Sequence, residues 1–361
     1  MSYQPVFDYF LGALSPSGFF GWFHYAAKEP TSPPFLLKAG PGCGKSTFMR
    51  RLAEASPGSG TLERLHCSSD PESLDGIRLS SPDFLILDAT APHIVNCTYP
   101  GVSERVVSLY DTLDYSVLKP CREEILALGR QHAKQMQQAA AHFALTCALL
   151  QRQRALTREI MDTAKTDALA ARLAHRTMPA RRNAKEGAVK HRLLSAPTPN
   201  GVTVFSETAK QAAPVAVYAL CDAYGAVSGR RLEQLADHAR NNGYDAVHCH
   251  CATDQRNKLD HLLLPSLGLA FITANPWHTL TVSTRHEIHT RRMLDGNELS
   301  KRQRLLTWQR RTADKALAQT CETLAAAKAT HDKLERYFVD AMDFTKADTI
   351  RAKLEQEWFG G

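Results

Sequence analysis

The feature that most constrains this chain is its likeness to itself. At a shift of 183 residues, Leu-Gly-Ala-Leu-Ser-Pro-Ser-Gly (Leu11 to Gly18) lies over Leu-Ser-Ala-Pro-Thr-Pro-Asn-Gly (Leu194 to Gly201). Without a gap, Phe35-Leu-Leu-Lys then meets Tyr218-Ala-Leu-Cys, and Arg51-Leu-Ala meets Gln234-Leu-Ala. After one or two inserted residues, His66-Cys67 falls on His250-Cys251, Leu74-Asp75 on Leu259-Asp260, and His93 on His278. Several matches in one order indicate a tandem duplication, so both halves must adopt one fold. The join falls near residues 184 to 190, which sets two expected domains, 1–185 and 186–361.

Within a half the coarse structure is readable. Pro34 to Lys38 is a short apolar run that ends at a glycine-rich turn, as a buried parallel strand does. Residues 45 to 55 read as a helix with Phe48, Met49 and Leu52 on one side, and Leu62 to Cys67 and Phe84 to Asp88 as further strands. Strand, helix, strand, strand predicts an α/β class with a parallel-sheet core in each half. Each core leads into a long helical appendage. Ile125, Leu128, His132, Met136, Ala139, Phe143, Thr146 and Leu150 keep three-and-four spacing, as do Leu317, Cys321, Leu324, Ala327, His331, Leu334, Phe338 and Met342.

Composition narrows the class further. With 43% hydrophobic and 22% charged residues the chain is globular in character. No apolar run reaches the roughly 18 residues of a membrane helix, so no membrane partner is expected. The first residues lack a basic stretch before an apolar one, so no secretion signal is expected either. Nine cysteines without framework spacing predict reduced thiols and a cytoplasmic protein. The net charge of +7 is partly local: Arg172 to Arg192 holds seven Lys/Arg and one acid, and Lys301 to Arg311 is a second basic run. Solvated helix faces and linkers carry such runs more often than nucleic-acid sites do.

One segment carries chemistry. Ala39-Gly-Pro-Gly-Cys-Gly-Lys-Ser-Thr47 follows the phosphate-loop pattern, with Ala in place of the first Gly. Gly40, Gly42 and Gly44 let the backbone aim N–H groups at phosphate oxygens, and Pro41 and Cys43 complete the turn. The positive end of the following helix adds to that anion site. Lys45 brings a cation to the β- and γ-phosphates, Ser46 offers a hydroxyl to Mg²⁺, and Thr47 reaches the α-phosphate. The companion acid at the end of an apolar strand is Asp88, the second expected metal-side group. Ala89 follows it where many mechanical ATPases carry a catalytic Glu. Water activation must therefore come from elsewhere, with Asp70, Asp75, His93 and Glu104 as candidates. Asp75 and His93 are favoured because both recur in the second half.

The second half reads differently. Gly44 becomes Val227, Lys45 becomes Ser228, Ser46 becomes Gly229 and Asp88 becomes Thr273, so its nucleotide site is degenerate. Val at a crowded glycine position also resists the loop's backbone geometry. Arg230 and Arg231 stand near this vestigial loop, where an anion contact or an arginine-finger role is the alternative to a solvated face. His248-Cys249-His250-Cys251 offers zinc-type ligands, but neighbours on a strand point to opposite faces and cannot converge on one ion. Phe19, Phe20, Trp22 and Phe23 read as a core plug.

His66-Cys-Ser-Ser-Asp-Pro-Glu-Ser-Leu-Asp-Gly76, Asp88-Ala-Thr-Ala-Pro-His93 and Tyr99-Pro-Gly101 resemble motifs of an uncharacterised bacterial family of tandem P-loop ATPases. His331-Asp-Lys-Leu-Glu-Arg-Tyr337 and Met342-Asp-Phe344 extend the resemblance over nearly the whole chain. It implies a P-loop NTPase fold in both halves and says little about substrate. The expectation is an ATP-binding protein with Mg²⁺, a slow ATPase whose nucleotide state moves its helical regions. Two alternatives stay open. One is a small-molecule or nucleoside kinase; the other is a non-hydrolysing, nucleotide-gated adaptor whose helices bind a protein or, less favoured, a nucleic acid.

Overall fold

The computed structural model describes residues 5–57, 60–277, 281–282 and 286–360. The first half opens with β1 (Val6–Phe10), the hairpin β2 (Gly12–Ser15) and β3 (Gly18–Gly21), and the short helix α1 (Phe23–Ala26). β4 (Phe35–Lys38), α2 (Lys45–Ala55), β5 (Leu62–Cys67), β6 (Asp70–Leu79), β7 (Phe84–Asp88) and β8 (Arg105–Ser108) build its core. The appendage is α3 (Tyr115–Leu118), α4 (Arg122–Arg158) and α5 (Thr163–Thr177). The second half repeats this order. It runs through β9 (Val189–Arg192), β10 (Ser195–Thr198), β11 (Gly201–Val204), α6 (Ser206–Ala212), β12 (Ala216–Cys221) and α7 (Ser228–Asn241). β13 (Ala246–Cys251), β14 (Asp254–Leu264), β15 (Leu269–Ala274), β16 (His286–His289), α8 (Gly296–Asp340) and α9 (Phe344–Phe359) complete it.

The duplication is visible in the sheets. The first has strand order β1-β5-β6-β7-β4-β8, and the second, read in the matching direction, β9-β13-β14-β15-β12-β16. Position for position the two orders are equivalent. Phe10 and Leu193, equivalent under the repeat, exchange two backbone hydrogen bonds of 2.9 Å, which places them at the centre of a pseudo-twofold. Both halves are α/β, but neither sheet is purely parallel as the sequence reading expects. β6 runs antiparallel to β5 and β7, and β14 does so to β13 and β15. The reason is connection length: only Ser68 and Ser69 separate β5 from β6, whereas a parallel return needs a crossover of about a dozen residues or more.

Alternating burial gives each sheet two apolar faces. Phe35, Leu37, Phe84 and Ile86 pack outward with Phe48, Met49 and Leu52 of α2. Leu36, Leu85 and Leu87 point inward and meet Val217, Val247 and Leu263 of the second sheet. Strands buried on both faces read as continuous apolar runs, which is why β4 and β7 were legible. At the sheet–sheet interface Arg192, 1% exposed, donates to both oxygens of Glu29 at 2.6 Å and to Glu63 at 2.7 Å. Burial alone would raise the Glu63 carboxyl, but Arg192 and Lys190 hold it down at about 2.

The appendages cross over. α4 and α8 run antiparallel as a long pair, joined by Thr146 Oγ1 to the Ala313 carbonyl (3.4 Å) and Gln153 Nε2 to that of Leu306 (3.3 Å). Beyond the pair each chain segment lands on the other half's core. Leu169 and Leu173 of α5 share a cluster with Leu232 and Leu235 of α7. Ala347 and Leu354 of α9 share one with Phe48 and Leu52 of α2. Asp162 and Asp343 cap α5 and α9 after matching Met-Asp turns. Arg231 is buried and ion-paired with Asp167, so it fastens α5 to α7 instead of standing on a solvated face. No helix among the described residues is long and apolar enough to cross a membrane.

Candidate functional site

The glycine-rich loop joins β4 to α2. Gly42 and Gly44 have φ of +68° and +75°, left-handed values that glycine adopts without strain. Gly44 is the N-cap of α2, so the unpaired N–H groups of its first turn face the loop's concavity. Cys43 is buried, and Thr47 stands exposed on the first turn. Lys45 Nζ donates to the carbonyls of Gly40 (2.8 Å) and Ala39 (3.3 Å) and lies 3.6 Å from Asp88 Oδ2. Ser46 Oγ accepts the N–H of Leu74 at 3.0 Å. Asp88, at the end of the fully buried β7, accepts the N–H of Thr90 at 2.8 Å through its other oxygen.

Asp75 and His93 join this group. His93 Nε2 is 3.4 Å from Asp75 Oδ2, and one ligand atom each from Asp75, Asp88 and His93 lies within 4.8 Å of the other two. All three are buried. Burial pushes the Asp75 carboxyl up and neighbouring Asp88 adds to this, against the opposing pull of His93. The His93 ring stacks on Phe23 at 4.6 Å and meets the edge of Phe19 at 4.8 Å, so the aromatic plug fixes it. Among the described residues neither Asp75 Oδ2 nor His93 Nδ1 has a hydrogen-bond partner. Asp75 does meet the Cys67 thiol, yet a buried carboxylate oxygen left unpaired is uncommon outside functional sites. Asp70 and Glu104 lie apart from the cluster. Asp70 faces Lys328 (3.6 Å), and Glu104 accepts the Thr98 N–H (2.9 Å) in a surface loop.

The second loop has a different occupant. Asp222, at the position of Ala39, accepts the N–H groups of Gly225 (3.0 Å), Val227 (2.8 Å) and Ser228 (2.7 Å). Its own carboxylate thus fills the cradle. Val227, in place of Gly44, takes φ of −86°. Asp260, the counterpart of Asp75, is ion-paired with buried Lys258; His278 lies outside the described residues. On β13 His248 and His250 share one face with His191 of β9, where His191 Nδ1 and His250 Nε2 are 2.8 Å apart and Trp22 stacks on both rings. Cys249 and Cys251 are buried, as strand alternation requires.

Sequence reasoning missed one residue at the first loop. Glu335 of α8 accepts the Gly42 N–H through Oε1 at 3.2 Å. Its counterpart on the other appendage is Arg154, which also stands seven residues before a Met-Asp turn and approaches Gly225, the counterpart of Gly42. Aligning the appendages on those turns was the available signal. Comparison with family models, curated proteins and solved structures returns no match, so the reading of the site rests on its geometry.

Proposed function

We propose that the first half binds Mg·ATP and hydrolyses it slowly, with the helical appendages responding to the nucleotide. The observation that carries this is the convergence of a glycine-formed N–H cradle, Lys45 and the buried Asp75–Asp88–His93 group beyond the C-terminal ends of the central strands β4 and β7. Gly40 to Thr47 would cradle the phosphates, and Lys45 would leave the loop carbonyls to neutralise charge on the transferred phosphoryl group. Ser46 and Asp88 supply hard oxygen donors, the set that suits Mg²⁺, with Asp75 adjacent. The metal would contribute charge stabilisation at the phosphates. Asp75 is the group we assign to take the proton of the attacking water, as the terminal P–O bond breaks and ADP leaves. Burial raises its carboxyl and so makes it a stronger base than an exposed aspartate, and His93 holds it in place.

A nucleotide-gated adaptor is the second reading, favoured by one observation: α8 and α9 of the second half lie against the loop. Calorimetric titration of Mg·ATP into wild type and Lys45→Ala, with phosphate release followed in the same samples, separates the outcomes. Binding should weaken at least about 100-fold in the variant, the scale of a lost charge-assisted contact. Release at a slow, Lys45-dependent rate supports the ATPase; tight binding without release supports the adaptor. Folded wild type that binds no nucleotide would sink both.

A further inference from the structure

We propose that α8 gates the first loop: Glu335 is a tethered carboxylate that holds the phosphate cradle and must withdraw before a nucleoside triphosphate enters. This rests on the nucleotide-binding reading above. The Gly42 N–H is one of the inward donors of the loop, and Glu335 Oε1 takes it at 3.2 Å. A phosphate oxygen needs that same donor, and two anions cannot share one small cradle. Lys45 is correspondingly turned away, onto the carbonyls of Gly40 and Ala39. The three glycines meet the roof directly. A Cβ added at Gly42 would come within 2.5 Å of the Glu335 carbonyl oxygen, one at Gly40 within 3.3 Å of Phe338, and one at Gly44 within 3.2 Å of Phe344.

The second half shows what such an occupant becomes when it is permanent. There Asp222 belongs to the loop, is 1% exposed and satisfies three helix-start and turn amides at 3.0 Å or less. Glu335 makes one such bond, and its side chain is 38% exposed, with His331 Nδ1 at 3.6 Å as its neighbour on α8. It is therefore a removable version of the same plug. The α8–α9 turn is tied to the first half by Asp114 N–H to the Ala341 carbonyl (2.7 Å) and Asp343 N–H to that of Thr112 (2.8 Å). With the turn held, rotation of the Glu335 side chain into solvent frees the Gly42 N–H, and a shift of the α8 backbone and Phe338 away from the glycines completes the opening. Because α8 comes from the second half, this contact also couples the degenerate half to the working site.

The test titrates Mg·ATP into the full chain by calorimetry, with folding checked by circular dichroism, for wild type, Glu335→Gln, Glu335→Ala and Lys328→Ala. Glu335→Ala should bind on the order of tenfold more tightly than wild type, the scale of one charge-assisted hydrogen bond released from competition. Glu335→Gln should fall between, since its amide oxygen still accepts but carries no charge. Lys328→Ala removes the α8 pairs with Asp332 and Asp70 while leaving the Glu335 carboxylate on the loop, and should leave the affinity within about twofold. If wild type binds and Glu335→Ala binds equally or more weakly, the gate is overturned while the nucleotide site stands. Equal tightening by Lys328→Ala would also overturn it, because loosening of the helix would then suffice. If neither wild type nor Glu335→Ala binds, both the gate and the site fall.

Discussion

Two loops of common origin sit at equivalent places on equivalent sheets, and they have met the same physical problem in opposite ways. A loop that opens a helix with inward N–H groups carries unpaired donors, and a buried donor left unpaired costs about 1–3 kcal/mol. The second half removes that cost internally with Asp222, and it neutralises the buried acid Asp260 with Lys258. The hydroxyls of Ser228 and Thr273, standing where Lys45 and Asp88 do in the first half, have no partner among the described residues but carry no charge. The first half leaves its cradle to an outside group, keeps Lys45 beside it on the loop carbonyls and near Asp88, and gives Asp75 a histidine and the Cys67 thiol in place of a buried lysine. The difference teaches that the two loops diverge by who satisfies their polar groups and, apart from the cap position held by Gly44 and Val227, hardly by backbone architecture.

The largest effect that would break this comparison is in the scaffold. Asp260→Asn leaves Lys258, 4% exposed, buried without its counter-charge. Urea unfolding should show a loss of about 3–5 kcal/mol, the usual result of removing one member of a buried pair. Replacing both residues, Asp260→Asn with Lys258→Met, should recover most of it. A loss under about 1 kcal/mol for the single change would mean that the pair is not what holds this end of the sheet. Next in size is Asp222→Ala, which strips three loop amides of a charged acceptor and should cost about 2–4 kcal/mol by the same measurement. It should not create nucleotide binding, because Ser228 and Thr273 supply neither cation nor carboxylate. Measurable Mg·ATP binding at the second loop after this change would show that Asp222 alone, and not the missing residues, makes that half degenerate.

How much of this was legible follows from where the information sits. The first loop, Gly40 to Thr47, and its helix were readable because chemistry and geometry are contiguous there: Gly44 ends the loop and caps α2, which begins at Lys45. Asp88 was readable because a fully buried strand ends on it. Asp75 and His93 came from recurrence in the repeat, and the structure brings both to Asp88. β6 was not readable. It begins Asp70-Pro-Glu-Ser, a turn-like composition, and its antiparallel course follows from a two-residue connection and not from apolar pattern. The crossing of the appendages was hidden for a different reason. Three-and-four spacing gives the apolar face of α4 or α8 but carries no label for which core that face, or the helix after it, will meet. Glu335 was lost with it, since its role exists only once α8 lies over the other half's loop.

The smallest prediction has the opposite sign from the others and so sharpens the comparison most. Asp75 is 3% exposed, and burial raises its carboxyl above the ordinary value of 3.8. A group whose folded pKa is raised favours the folded state fully below its unfolded pKa, and that contribution is lost as pH rises through the folded pKa. Above its raised folded pKa, ionised Asp75 therefore burdens the fold. Asp75→Asn should stabilise the protein by roughly 1–2 kcal/mol in urea unfolding at pH 7, the scale of relieving a poorly compensated buried charge. The gain should shrink as pH falls through the folded pKa and be lost below about 4, where the carboxyl becomes protonated in both states. Asp260→Asn, at the equivalent position, should destabilise over the same range. If both substitutions destabilise at pH 7, Asp75 is a structural acid like its counterpart. If Asp75→Asn stabilises while phosphate release falls at least about 100-fold with Mg·ATP affinity nearly unchanged, the first half has kept a costly acid for its chemistry.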